Sequence, residues 1–460
     1  MATQLQSSTA DSLTPSPEWQ ALADSALKAA RAAGADQAEV YLGDTTMTEV
    51  GLEKDEVQLV RSLNEQGVGL RLYRNRSLGF ASANTFAPDA IAEIAAGAGA
   101  QAKATPAEPG GELPPPAKLT PVAGLHDPRL ENIPVERAVE MARAALEAGR
   151  GVDPRVRMDG GALVIAHGWQ GVFSTTGVAC TESFTSISLN LMGMAVDGAH
   201  VSSMDYDHIA SCTLDGFDPE AFGREMGKRF LSALHPRHAK SFKGPVLFHP
   251  LAIEDLLLAA LMSAACAETV QRGASPLAGK LDSLIASELF SLTDDGTLPG
   301  VYASASFDRE GQPHRRLPII ERGVLKNFLY RHGSAVQGGA ATTGHAAGGA
   351  RSAPSTGTTN LVIDAGDTAL EKMQGDLNYS LLVTRASGQP NPITGEFSVA
   401  VKGAQLIEKG ELAGPVTEVM MRGNAFELLR HITAASKERL DKPGLLCPWL
   451  VIDGIDVTAA

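Results

Sequence analysis

The stretch FHPLAIEDLL at 248–257 places His249 and Glu254 five residues apart at the opening of a helix-like run. An imidazole and a carboxylate can both hold a metal ion, and either can carry a proton. His200, Asp205, Asp207 and His208 offer the same donor types in one short segment, although acids and histidines this close are also common on solvated surfaces. The glycine-rich run GGAATTGHAAGGA at 338–350 has His345 as its one ionisable side chain. Such a run either brings backbone amides close to a ligand or is a long mobile loop. His235 and His238 in HPRH follow a helix end, where cations suit the helix dipole, and read as structural.

The commonest hydrolase signatures are missing: there is no G-x-S-x-G elbow and no Asp-Thr-Gly or Asp-Ser-Gly triplet. GASPLAGKL at 273–281 is a poor phosphate loop, since Leu281 stands where a Ser or Thr would hold magnesium and Gly273 lies one residue too far from Gly279. The 460 residues carry 39 Lys+Arg against 53 Asp+Glu, a formal net charge of −14. Basic clusters such as 71–76 are short, which disfavours nucleic acid as the main ligand. The first residues, MATQLQSSTADSLTPS, show no basic or apolar leader region, and no stretch reaches about 18 apolar residues free of charge. A cytoplasmic protein without membrane spans is expected. Cys180, Cys212, Cys266 and Cys447 are far apart with no CxxC pair, which points to reduced, mostly buried thiols.

Periodicity predicts the elements that carry these groups. The polar tail, 1–16, is expected to be disordered. Over 17–33, Trp19, Leu22, Ala23, Ala26, Leu27 and Ala30 fall at helical spacing, and Gly34 can end the helix. Alternation over 48–84, as in EVQLVRSLNEQGVGLRLYRNRSLGFASAN, predicts antiparallel strands with Leu59, Val68, Leu70, Leu72 and Phe80 partly buried, before a helix at 86–103. The segment 104–124 is too rich in proline for a helix or central strand and reads as an extended connector. A helix, VERAVEMARAALEAG, and short alternating runs then repeat the earlier order. Further helices are predicted at 217–234, capped by Asp215 or Asp218, and at 250–267, with strands dominating from Ser291 on. The expected fold class is α+β: N-terminal α/β modules with antiparallel strands at 17–103 and 125–240, and a strand-rich C-terminal domain at 241–460.

Several longer segments carry a resemblance. They are EVYLGDTTMTEVGLEKDEVQLVRSLNEQGVGLRLY near the start, then GASPLAGKLDSLIASELFSLTDDGTLPG, SASFDREGQPHRRLPIIERGVLKNFLYRHGSA, TTGHAAGG and ITGEFSVAVKGAQLIEKGELAGPVTEVMMRGN. Together they are specific, and over nearly its full length the chain resembles the TldD/PmbA family, also described as modulators of DNA gyrase.

The resemblance implies zinc peptidases that work as two-subunit assemblies, with one TldD-type chain carrying HExxxH and a later cysteine. In that motif two imidazoles and a thiolate hold zinc while the Glu activates its water. Residues five apart on a regular helix point about 140° from each other, so such a pair requires a widened turn or a kink. Here His249 stands where the first His would be, Pro250 replaces the Glu, and Glu254 replaces the second His. The family's cysteine precedes a glycine, whereas Cys447 directly precedes Pro448 and reads as a buried thiol. His249, Glu254 and Cys447 are therefore the metal candidates, with no placed base beside them, and no residue of this chain is assigned a catalytic or metal-binding role. TTGHAAGG and GEFS are closer to the PmbA-type (TldE) partner, which makes Thr343, Gly344 and His345 the candidates for binding substrate. The implied function is a PmbA/TldE-like, zinc-less subunit of a heteromeric metallopeptidase that degrades or trims unfolded peptides, with zinc in the TldD-type subunit. Two alternatives stand beside it: a self-associating metallopeptidase with metal at His249, Glu254 and another donor, and a non-enzymatic modulator that binds a protein partner.

Overall fold

In the computed structural model the described residues are 13–459; of the tail expected at 1–16, residues 1–12 lie outside them. Helix α1 (Pro17–Ala32) starts where the Ser16 hydroxyl accepts the Trp19 amide, with proline at a position that needs no N–H. Strands β1 (Gln37–Glu53), β2 (Glu56–Arg74) and β3 (Ser77–Ala83) and helix α2 (Pro88–Ala104) follow. From 105 to 127 the chain forms no helix and only a single bridge, Ala107 to Ser77. Next come α3 (Val135–Arg150), β4 (Val156–Ser174), β5 (Ala179–Asp197), β6 (Asp205–Ser211) and α4 (Pro219–Ser232). Asp218 caps α4, its carboxylate accepting the Ala221 amide at 2.8 Å.

The repeated order of helix and strands builds one sheet rather than two. Its order is β3-β2-β1-β4-β5-β6, with β1 and β4 paired antiparallel from Glu39–Ser174 to Glu53–Gly160. Alternation sorts the side chains by face. Val40, Leu42 and Val50 on β1, Val68 and Leu70 on β2, and Leu163, Ile165 and Phe173 on β4 are buried under α1 to α4. Residues of opposite parity, among them Glu39, Tyr41, Gly69, Arg71 and Glu182, meet the C-terminal domain at one end of the other face.

That domain holds the second large sheet. Its strands are β7 (Phe242–Phe248), β8 (Leu292–Asp295), β9 (Arg316–Glu321), β10 (Leu361–Ile363), β11 (Tyr379–Ser387), β12 (Glu396–Glu408), β13 (Glu411–Thr417), β14 (Val419–Asn424), β15 (Ile432–Lys442) and β16 (Leu445–Ala459). The order is β9-β8-β10-β16-β7-β11-β12-β13, with β14 and β15 also on β16. The pairs β10–β16 and β7–β11 are parallel. Fold class is thus α+β with a strand-rich C-terminal part, as the sequence predicts. The single helix expected at 250–267 is broken into α5 (Pro250–Ile253), a π-helical turn (Glu254–Leu258) and α6 (Ala259–Ala265), running through a core of Leu256, Leu257 and Leu261. An apolar run predicts burial but not the hydrogen-bond step within it. Among the described residues no helix is long and apolar enough to cross a membrane.

Candidate functional site

His249 follows β7 directly. Its backbone is extended (φ −69°, ψ 148°), its amide donates to the Val383 carbonyl at 2.9 Å, and its Nδ1 accepts the Leu251 amide at 3.2 Å, so it is the N-cap of α5. Pro250 then suits the first helical position, where no amide hydrogen is needed. The angular argument for residues five apart on a helix does not apply here, because His249 is not on the helix. The widened turn is present nonetheless and starts at Glu254, whose carbonyl accepts the Ala259 amide.

Glu254 opens the π-helical turn that follows α5, and Cys447 lies on β16 two residues before Trp449. The charge of Glu254 adds to complete burial in holding the Cys447 thiol well above its usual range, and Cys447 Sγ donates to the Pro448 carbonyl at 3.2 Å. The Trp449 ring stands edge-on to His249 with centroids 5.1 Å apart. Burial, reinforced by Arg229, Lys442 and Arg385 and opposed by Asp207, pushes the His249 pKa down to about 3, so the ring is neutral at pH 7. Glu254 is shifted up by burial and by Asp255.

The charges facing this corner form a cluster drawn from four segments. Asp205 and Asp207 lie two apart on β6 and so point to one face. Arg229 of α4 reaches both carboxylates at 2.6 Å, Lys442 of β15 reaches Asp207 at 2.8 Å, and Arg385 of β11 reaches Asp205 at 3.4 Å while lying 4.1 Å from the Tyr206 ring centre. Burial works to raise the Asp207 pKa, but Lys442 and Arg229 overcome it and the carboxylate is held below its ordinary range. The mixed donor group at 200–208 therefore spends its two acids on cations. Among the described residues no group of three or more His, Cys, Asp or Glu is arranged to hold a metal. A dication at His249 would meet three cations answered by only two carboxylates, Asp205 and Asp207, and an imidazole whose Nδ1 already accepts a backbone amide. The residues present do not fit zinc.

The TTGH segment is built into the core rather than left as a mobile loop. His345 Nδ1 lies 2.9 Å from the Thr343 hydroxyl and Nε2 3.3 Å from Asp294, which also accepts the Thr359 hydroxyl and its amide. Gly344 takes φ +74°, and a Cβ there would press on the Pro313 carbonyl at 2.2 Å. Thr343, Gly344 and His345 are all buried, so contact with a peptide requires the segment to leave its seat. Next to them, Asp308 accepts the amides of Glu310, Gln312 and Ala346, each at 2.9 Å.

Asp308 adjoins an ion network that residue types alone do not reveal. Arg71 of β2 is fully buried between Glu39 at 2.6 Å and Glu310 at 2.7 Å, and Arg309 reaches Glu39 at 2.8 Å while covering the Tyr41 ring. Its one sequence signal is the charged run Asp308-Arg309-Glu310.

Three domain families match along the chain: PmbA/TldA metallopeptidase domain 1 at 38–102, the central domain at 128–234 and the C-terminal domain at 241–459. Metalloprotease PmbA of Escherichia coli O157:H7 is 27% identical over 418 residues, 90% of each chain. An uncharacterised protein of Methanocaldococcus jannaschii is 35% identical over 217 residues, 47% of this chain and 51% of that protein. The crystal structure of TldE from Thermococcus kodakarensis superposes with a TM-score of 0.86 at 24% identity, covering 95% of this chain and all of that one. That last likeness is one of fold.

Proposed function

Since the chain belongs to the PmbA/TldD metallopeptidase family, we propose that it is a PmbA/TldE-type subunit without a zinc of its own. In this reading it completes, in the cytoplasm, a two-chain metallopeptidase that degrades or trims unfolded peptides, and a TldD-type chain supplies the zinc and the base. One observation carries the proposal. At the position of the metal motif stands a neutral, capping His249 followed by Pro250 and faced by Arg229, Arg385 and Lys442. A zinc-bound water needs an open metal position and a carboxylate to take its proton. Pro250 supplies neither, and the cations oppose the ion itself.

Zinc content by elemental mass spectrometry, after removal of loosely held metal, tests this directly. Near-zero zinc and no chelator-sensitive peptide cleavage by the chain alone are expected, with cleavage appearing when a TldD-type chain is added. Stoichiometric zinc that disappears in His249→Ala would overturn the proposal. It would favour the second reading, an altered ligand set that includes His249. Affinity capture that returns some other protein in place of a TldD-type chain would favour the modulator reading.

A further inference from the structure

The run GASPLAGKL, a poor phosphate loop by sequence, lines a cavity in the fold. Over 275–283 the chain makes successive tight turns, with the Ala278, Lys280 and Ser283 amides each donating to the carbonyl three residues back. The buried Ser275 hydroxyl fixes them, donating to the Ala264 carbonyl at 2.6 Å and accepting the Leu277 amide at 3.0 Å. A second segment, the helical turn Ala425–Leu428 and the two residues after it, is tied to this one by the Ser287 amide, which donates to the Leu429 carbonyl at 2.8 Å. Together they line a cavity of about 220 Å³. Its apolar lining is Leu277, Ile285 and Leu429, all buried, with Phe426 half-buried, and its charged lining is Lys280, Glu427 and Arg430, all exposed. The nearby acids are spent elsewhere, Asp282 on Lys326 at 2.8 Å and Glu288 on Arg322 at 3.6 Å. Among the described residues the Lys280 ammonium has no partner, and Arg430 reaches only the Leu284 carbonyl, at 3.5 Å. In a chain of net charge −14, an apolar slot with two unanswered cations and one acid stands apart.

We propose that this cavity holds the C-terminal residue of a peptide, with its carboxylate at Lys280 and Arg430 and an apolar side chain against Leu277, Ile285 and Leu429. Size and charge select that occupant. The cavity is smaller than the roughly 300–1,000 Å³ that a drug-sized ligand fills, so it takes one large side chain and not a longer apolar segment. Two unpaired cations call for an anion, and charge-assisted hydrogen bonds from both would hold it. In a peptide, a carboxylate one carbon away from an apolar side chain occurs at the C-terminus alone; an internal Asp or Glu carries its charge on the side chain that would have to fill the slot. Capture of a terminal carboxylate is a recurring mode of peptide recognition. Hydrolysis of a peptide leaves such an end on one fragment of every cut, so the ligand class rests on the peptidase reading above, whereas the site uses none of the residues of the zinc argument.

Fluorescence polarisation of fluorescein-labelled Gly-Ser-Gly-Ser-Gly-Leu with the full chain, in the presence of a chelator, reads the site without any contribution from zinc. Saturable binding is expected, weaker by about tenfold or more when the same peptide ends in an amide and when glycine replaces its last leucine. Lys280→Met and Arg430→Met should each weaken binding by about tenfold, and Lys118→Met, at an exposed lysine that does not line the cavity, should leave it unchanged. Glu427→Gln removes the acid that opposes the carboxylate and should tighten binding by about threefold, a gain that a misfolded variant could not give. Equal affinity for the acid and the amide, or no saturable binding, would overturn the assignment whatever the zinc content of the chain proves to be.

Discussion

Asp207 of the central sheet and Lys442 of the C-terminal sheet meet at 2.8 Å with both side chains nearly out of solvent, 235 residues apart in the chain. The pair closes the seam between the two parts of the molecule beside His249. Arg229 completes it from the central side, so one carboxylate answers two cations.

Removing that carboxylate leaves two cations in a poorly solvated place. Asp207→Ala is expected to lower stability by about 3–5 kcal/mol, read as the urea midpoint at pH 7. The Asp207 pKa lies below its unfolded value, so its contribution is complete above about pH 4 and is lost as the pH falls further. Asp207→Asn should therefore flatten the acid limb of the stability profile below about pH 4. An unchanged profile would mean the pair is not formed.

How much of this was legible follows from sequence distance. The helix VERAVEMARAALEAG lies at Val135–Arg150, and Asp218, one of the two caps the sequence offers, caps the next helix, because both signals are local. The partners of Arg71 lie 32 and 239 residues away, and no periodicity carries such a pairing. Asp205 and Asp207 invited a metal reading by type. Their spacing on a strand says only that they face the same way, and the fold then brings Arg229, Arg385 and Lys442 to that face. Periodicity does not show the π turn at Glu254, because its residues, EDLLL, continue a helical run.

His249 gives a second pH effect with its own window. Its pKa falls from 6.5 to about 3 on folding, mainly through burial. The unfolded chain thus takes the proton first, and stability is complete above about pH 6.5 and declines as the pH drops toward 3. His249→Asn keeps an acceptor for the Leu251 amide and removes the titration, so the decline between these values should shrink while the pH 7 stability changes little. Direct titration by NMR should find the His249 ring neutral at pH 5. A ring that protonates near 6.5 would remove the electrostatic argument against a metal there.

The hairpin after TTGH is seated on β2 through glycine. A Cβ at Gly69 would come within 2.4 Å of the Ala350 carbonyl, whereas one at Gly349 would meet nothing within 4 Å. Gly69→Ala should cost about 1–3 kcal/mol and open the 348–354 segment to trypsin at Arg351, while Gly349→Ala should do neither. Equal cleavage in the two variants would show that the segment is not held by this contact.

The turn at Glu254 has a consequence for the metal question that can be tested by adding ligands rather than removing them. Glu254 already bears electrostatically on Cys447, and His249 lies against Trp449, two residues further along β16. A second imidazole at 254 would restore the motif's residue types on the turn whose charge acts on Cys447. Pro250→Glu with Glu254→His supplies both that imidazole and a carboxylate base at the first helical position, where a negative charge suits the helix dipole. The double variant is expected to bind cobalt(II) with the absorption bands of tetrahedral nitrogen and sulfur ligation, and to lose the sulfur band in Cys447→Ala. The parent chain should show neither. Three cations still face the corner with two carboxylates to answer them, and at an effective dielectric of about 20 one uncompensated unit charge roughly 10 Å from a dication opposes it by about 3 kcal/mol. Adding Lys442→Met should on that account tighten cobalt binding by at least about tenfold. If the double variant stays metal-free even then, the geometry of the corner, and not its charge, is what excludes the ion.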